Sequence, residues 1–218
     1  MSDSDRRLVI EGGKPIVDFN SKAFKAVPES GIEDAVATMR TGMMYRYQPK
    51  KAEDSHVSLF EKEFATHLGS NFALGVNSCG AAMFIALNIA GVKPGDKVLS
   101  NGFTFTAVPS AIHHARAEPV FVESNLEWGL DAEDLEHKVK ESGAKVLLLS
   151  YMRGHVPNMD AIMAVVERYD LYLIEDCAHA YMTFWNGKKL GKFGRIACFS
   201  TQSSKGLSSG EGGILATD

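Results

Sequence analysis

The chain has little of what marks several large protein classes. Its three cysteines, Cys79, Cys177 and Cys198, form no CxxC pair, and an odd count gives no disulfide framework. The cationic surplus of a polyanion binder is missing: 23 Lys and Arg against 27 Asp and Glu give a formal net charge of −4, which argues against a nucleic-acid partner. Apolar runs such as Val146–Leu149 and Ala81–Ala90 fall far short of a membrane span. Met1–Arg7 is polar with no apolar stretch behind it, so no secretory signal is expected and a cytoplasmic location follows. There is no GxGxxG fingerprint and no GxxxxGKS/T loop, which sets aside dinucleotide and P-loop readings.

What is there suits one large α/β domain. Of 218 residues, 45% are apolar and 23% charged, enough to bury a sizeable core. Residues 1–30 lack a period, carry Gly12, Gly13, Pro15 and Pro28, and read as an extended N-terminal arm; 31–218 read as the domain proper. Ile32–Met39 has helical spacing and stops at Gly42. Met43–Ser55, with Tyr45, Arg46, Tyr47, Lys50 and Lys51, has no period and reads as a loop, with a substrate-facing role one of its readings. Leu59, Phe60, Phe64 and Leu68 mark an amphipathic helix ended by Gly69. Strands are then predicted at Phe72–Val76, Lys97–Leu99, Pro119–Val122, Val146–Leu149, Leu171–Ile174, Ile196–Ser200 and Gly213–Thr217. Helices at Ala81–Ala90, Thr106–His114, Asp131–Val139 and Met159–Tyr169 alternate with most of them. That rhythm predicts a mainly parallel sheet sandwiched between helices.

Three stretches carry candidate chemistry. Phe199–Gly213, FSTQSSKGLSSGEGG, holds Lys205 among serines and glycines. Such a backbone can pass close to a ligand, and a desolvated amine can attack a carbonyl; a solvated surface loop has the same composition. Leu171–Ala180, LYLIEDCAHA, brings Glu175 and Asp176 to the end of an apolar strand, where α/β folds place ligands, although acids there also serve as helix caps. Asp176, Cys177 and His179 lack a further ligand at the usual spacing, so no metal is expected. Asn77–Ala82, NSCGAA, sits at a strand-to-helix junction whose free N–H groups attract anions, or simply pack tightly. An amine, a strand-end carboxylate and an anion cradle together match the needs of pyridoxal 5′-phosphate, with Phe103 and Phe105 of NGFTFTA as flat partners for the ring.

At these residues the sequence resembles the DegT/DnrJ/EryC1/StrS aminotransferases, the sugar-aminotransferase branch of fold-type I pyridoxal phosphate enzymes. The resemblance runs from about Gly42 to Asp218 through VSLFEKEFATHLG, NSCGAAMFIALNIAGVKPGDKVL, FTFTAVPSAI, PVFVE, GHVPNMDAI, LIEDCAHA, GKFGRIACFS and SSKGLSSGEGG, in order. It implies a three-layer α/β/α large domain like that of aspartate aminotransferase, with a mainly parallel mixed sheet and with the family's small C-terminal domain absent from this chain. By position, Lys205 would form the imine with the cofactor, Asp176 would pair with the ring nitrogen, and His179 would sit beside the ring. Phe105 would stack on it, and Gly80, Ala81 and Ser200 would hold the phosphate. The segment Tyr151–His155 departs from the common family pattern and makes Arg153 and Tyr151 weaker substrate-facing candidates. Arg153 would either clamp a carboxylate or phosphate or pair with a nearby acid. The implied reaction takes an amino group from glutamate or glutamine to a keto-sugar, cyclitol or similar keto acceptor, in a homodimer or with a second chain. The alternative is a non-catalytic or half-enzyme subunit that needs a partner chain. Sugar dehydration on this scaffold replaces the lysine with histidine, and Lys205 argues against it.

Overall fold

Alternating burial along short strands builds the sheet that carries every candidate residue. The computed structural model describes residues 7–15, 27–47, 50–51 and 55–218. Parts of the expected arm (1–6 and 16–26) and of the 43–55 loop (48–49 and 52–54) lie outside the described residues. The chain divides into two compact units, Met1–Gly42 and Met43–Asp218. The first contains a 3-10 turn at Val9–Glu11 and helix α1 (Glu29–Thr41), longer at both ends than the Ile32–Met39 spacing and closed by Gly42 at φ 71°.

The second unit begins its regular structure with α2 (His56–Leu68), capped by Ser55 and ended by Gly69 at φ 83°. Then follow β1 (Phe72–Val76), α3 (Cys79–Ile89), β2 (Lys97–Asn101), α4 (Ala107–His114), β3 (Glu118–Val122) and α5 (Ala132–Ser142). Asp131 caps α5, accepting from the N–H groups of Glu133 and Asp134. The rest is β4 (Val146–Ser150), α6 (Met159–Arg168), β5 (Tyr172–Asp176), a hairpin of β6 (Phe184–Trp185) and β7 (Lys188–Lys189), β8 (Ile196–Ser200) and β9 (Gly213–Thr217). The hairpin is not anticipated above; its turn is Asn186–Gly187, both at positive φ.

Seven strands form one sheet in the order β1-β9-β8-β5-β4-β2-β3. The pairs from β8 through to β3 are parallel, and β9 alone runs against both of its neighbours. Leu147, Leu149, Leu173, Ala197 and Phe199 face one core cluster with Phe64 of α2, Leu135 of α5 and Ile162 of α6. Leu148, Ile174, Ile196 and Cys198 face the other, with Ala82, Met83 and Ala86 of α3 and Val108 and Ile112 of α4. Both faces are therefore covered, and the expected three-layer, mainly parallel mixed sheet is what forms.

Alternation separates the two acids at the end of β5. Glu175, fully buried, points to the same face as Leu173. It accepts from the Tyr151 hydroxyl at 2.6 Å and from the N–H groups of Gly191, Phe193 and Gly194 at 2.8, 2.7 and 2.6 Å. Burial pushes the carboxyl up and these four donors pull against it. Glu175 thus straps the segment before β8 onto the sheet, with Gly194 so close to Leu173 that a Cβ would lie 2.6 Å from its carbonyl oxygen. Tyr151, a substrate-facing candidate above, is wholly buried and committed to this strap. Tyr151→Phe removes one donor from a buried carboxylate and is expected to lower stability by about 1–3 kcal/mol, read as a lower urea midpoint with an unchanged slope.

Candidate active site

The parallel strands and the start of β9 bring their functional ends to one edge of the sheet. Val76 pairs with Gly213, Gly213 with Ser200, and Asp176 with Ser150 and Cys198. A cavity of about 610 Å³ opens at that edge. Gly80, Phe105, Arg153, Asp176, His179, Ser200 and Lys205 line it; Tyr151 and Ala81 do not.

Asp176 shares its face of β5 with Ile174 and is 4% exposed. Its Oδ1 accepts from the Ala178 N–H at 3.1 Å and from the Cys79 thiol at 3.6 Å. Its Oδ2 accepts from the Ser150 hydroxyl at 2.7 Å. Burial and the Asp176 charge push the Cys79 thiol well up, so it acts as a donor and not as a thiolate. With two bonds on one oxygen and one on the other, the carboxylate keeps one acceptor position, enough for a single N–H.

The start of α3 forms the opposite wall. Ser78 caps the helix by accepting from the Ala81 N–H at 3.0 Å, which occupies the one donor that Ala81 offers. The Cys79 and Gly80 N–H groups carry no hydrogen-bond partner among the described residues, and they are what an anion would meet. Ala81 itself lines a neighbouring cleft of about 470 Å³ between α3 and α4. Gly213 permits the close approach: a Cβ there would lie 2.4 Å from the Ser78 carbonyl carbon.

Lys205 lies in the turn between β8 and β9. Its loop is held by the Ser203 N–H to the Gly210 carbonyl at 2.8 Å and by a 2.7 Å contact between the Thr201 and Ser209 hydroxyls. Its Nζ is 2.7 Å from His179 Nε2, and His179 Nδ1 accepts from the Arg153 N–H at 3.4 Å. Which of the two nitrogens donates in the Nζ–Nε2 contact is set by the tautomer of the ring. Burial lowers the Lys205 ammonium, aided by Arg153 and opposed by Asp176 and Cys79. Burial and then Lys205 lower His179 as well. Both shifts favour the uncharged pair, and a free amine is the nucleophilic form.

The other candidates fall into place differently. Arg153 is exposed, sits in the left-handed region at φ 57°, and its guanidinium has no hydrogen bond or ion pair among the described residues. Phe105 is 58% exposed and borders the cavity, whereas Phe103 turns to Trp128, with ring centroids 5.0 Å apart. Arg46, from the basic loop, forms a bidentate pair with Glu61 at 2.8 and 2.5 Å. Cys79, Ser150, Gln202 and Glu211 take part in the site or line it without having been singled out.

A family model described as the DegT/DnrJ/EryC1/StrS aminotransferase family matches residues 39–218. The chain is 36% identical to the spore coat polysaccharide biosynthesis protein SpsC of Bacillus subtilis (strain 168), over 86% of this chain and 46% of that protein. It is 31% identical to L-glutamine:scyllo-inosose aminotransferase of Streptomyces griseus, over 98% of this chain and 50% of that protein. Among solved structures, 3-amino-5-hydroxybenzoic acid synthase superposes with a TM-score of 0.81 at 31% identity, covering 89% of this chain and 50% of that one. The chain spans about half the length of these relatives.

A lowered ammonium predicts selective chemistry at Lys205. Under limiting acetic anhydride at about pH 8 it should be acetylated ahead of the surface lysines, as read by peptide mass spectrometry. Arg153→Gln removes a cation that lowers Lys205 and should slow its acetylation, leaving the surface lysines unchanged.

Proposed function

Because the chain belongs to the DegT/DnrJ/EryC1/StrS aminotransferase family, we propose that it serves pyridoxal phosphate-dependent amino transfer from glutamate or glutamine to a keto-sugar, cyclitol or similar keto acceptor. The observation that carries this reading is the placing of the Lys205 amine, its ammonium lowered by burial, and the buried Asp176 carboxylate around one cavity. The residues fit the cofactor. Asp176 has one acceptor position left for a ring N–H, and the Cys79 and Gly80 N–H groups are free for a phosphate. The names of the relatives support the acceptor class: the Streptomyces protein is named for scyllo-inosose and the Bacillus protein for coat polysaccharide synthesis.

When bound, pyridoxal phosphate supplies a ring that accepts the electron pair released at the carbon bearing the amino group. Lys205 Nζ would hold the cofactor covalently and, once freed by the amino donor, would take and return the proton at that carbon as general base. Asp176 would hold the ring nitrogen's proton. Gly80 and Cys79, with the Ser200 hydroxyl, would bind the phosphate. Phe105 would cover a ring face, and His179 would orient Lys205 through its 2.7 Å contact. Arg153, with no acidic partner among the described residues, is the cation we assign to an anionic group of the substrate. A second chain, either a copy of this one or another protein, belongs to the same reading, since Phe105 stands 58% exposed at the cavity.

Supplying pyridoxal phosphate, reducing with borohydride and mapping the peptides should place the label on Lys205. A label elsewhere, or none, would reject the assignment. In a protein that turns over, Lys205→Ala should slow amino transfer by roughly 100- to 10,000-fold, the usual worth of a positioned general base.

A further inference from the structure

Beside the cavity, Asp176 is joined to a buried polar pair, Asn101 and Ser150, to which the reaction described above gives no role. At Asn101, the last residue of β2, the paired register with β4 has already ended; its last pair is Ser100 with Leu148. The Asn101 side chain continues the ladder. Its Nδ2 donates to the Ser150 carbonyl at 2.8 Å, and its Oδ1 accepts from the Ser150 N–H at 2.9 Å. Ser150 is thereby fixed at both backbone groups, and its hydroxyl donates to Asp176 Oδ2 at 2.7 Å. Asn101, Ser150 and Asp176 are 2%, 2% and 4% exposed, so no water competes for these bonds.

We propose that Ser150, clamped by Asn101, is the positioning residue that aims Asp176 so that its one remaining acceptor position meets the ring nitrogen of the cofactor. The argument is one of valence. The Ala178 N–H and the Cys79 thiol hold Oδ1, and without Ser150 nothing else in the described residues holds Oδ2. The carboxylate would then turn about its Cβ–Cγ bond and present a mixed population of acceptors. Asn101 makes the serine rigid: a hydroxyl on a strand end fixed only through its own ladder would share the motion of that end. Neither residue touches the substrate; both act through Asp176. This inference rests on the cofactor reading above.

The test uses two ligands that differ at one atom: pyridoxal phosphate and its carbocyclic analogue, with C–H in place of the ring nitrogen. Both carry the aldehyde for Lys205 and the phosphate for α3; only the first offers an N–H to Asp176. Equilibrium dialysis with Ser150→Ala should weaken pyridoxal phosphate by roughly 10-fold or more while the analogue changes by less than about twofold, the loss expected of one hydrogen bond to a charged group. Ser150→Thr, which keeps the hydroxyl, should restore most of the affinity. Asn101→Ser should give a smaller loss with the same selectivity, and it carries the test if Ser150→Ala does not fold by circular dichroism. Equal losses for the two ligands, or no loss for either, would overturn the positioning role alone. Failure of the unsubstituted protein to bind either ligand would overturn the cofactor reading and this inference with it.

Discussion

The site depends on the period of two in a β-strand. At the end of β5 two acids stand side by side, and the pleat sends them to opposite faces. Glu175 goes to the α2–α5–α6 side, where it meets four donors and becomes a strap. Asp176 goes to the α3–α4 side, where the cavity is. A shift of one residue in the β5 register would exchange these environments. The strap would lose its carboxylate, and the cavity would receive a glutamate one methylene too long for Ser150 and Cys79. Register is therefore a functional quantity here. It is enforced by the leucines and isoleucines that alternate between the two cores.

Much of this could be read in the chain itself. The apolar runs are strands because both faces of the sheet are covered, and the seven strand positions were legible from those runs alone. That Lys205, Asp176 and His179 could share one cavity is legible because each is an ionisable residue in a glycine-rich or strand-end context. Legibility falls where an apolar run ends. The fourth strand was ended at Leu149, so Ser150, the next residue on the cavity face, was missed. Tyr151, one step further, is turned away from the cavity by the same alternation, which the segment Tyr151–His155 does not show on its face. Asn186–Gly187 was an overlooked turn signal for the small hairpin, which is too short for any periodicity to register. The capture of the Ala81 N–H by Ser78 was beyond sequence reasoning, because NSCGAA fits a helix cap and an anion cradle equally well.

The carboxylate and the imidazole stand three residues apart after β5, the amine comes from the turn before β9, and each is held by main-chain and side-chain contacts together. His179 is turned by the Arg153 N–H, Asp176 by the Ala178 N–H and by a serine itself fixed through its backbone, and Lys205 by a loop closed between Ser203 and Gly210. Rigidity of this kind survives exchange of the surrounding surface. It leaves Arg153 and the exposed aromatic side chains as the natural places for substrate preference to change.

The single reversed strand also bears on how the molecule is assembled. Because β9 lies between β1 and β8, the first strand of the sheet finds its partner only in the last, and the Asn71 N–H meets the Asp218 carboxylate across 147 positions. On a ribosome, the parallel strands from β2 to β8 can associate while β1 and the start of α3 still wait. The start of α3 meets Gly213 only once β9 is in place. A nascent chain therefore carries an open sheet edge until β9 emerges, and the cavity at that edge gains its wall from α3 only at that step.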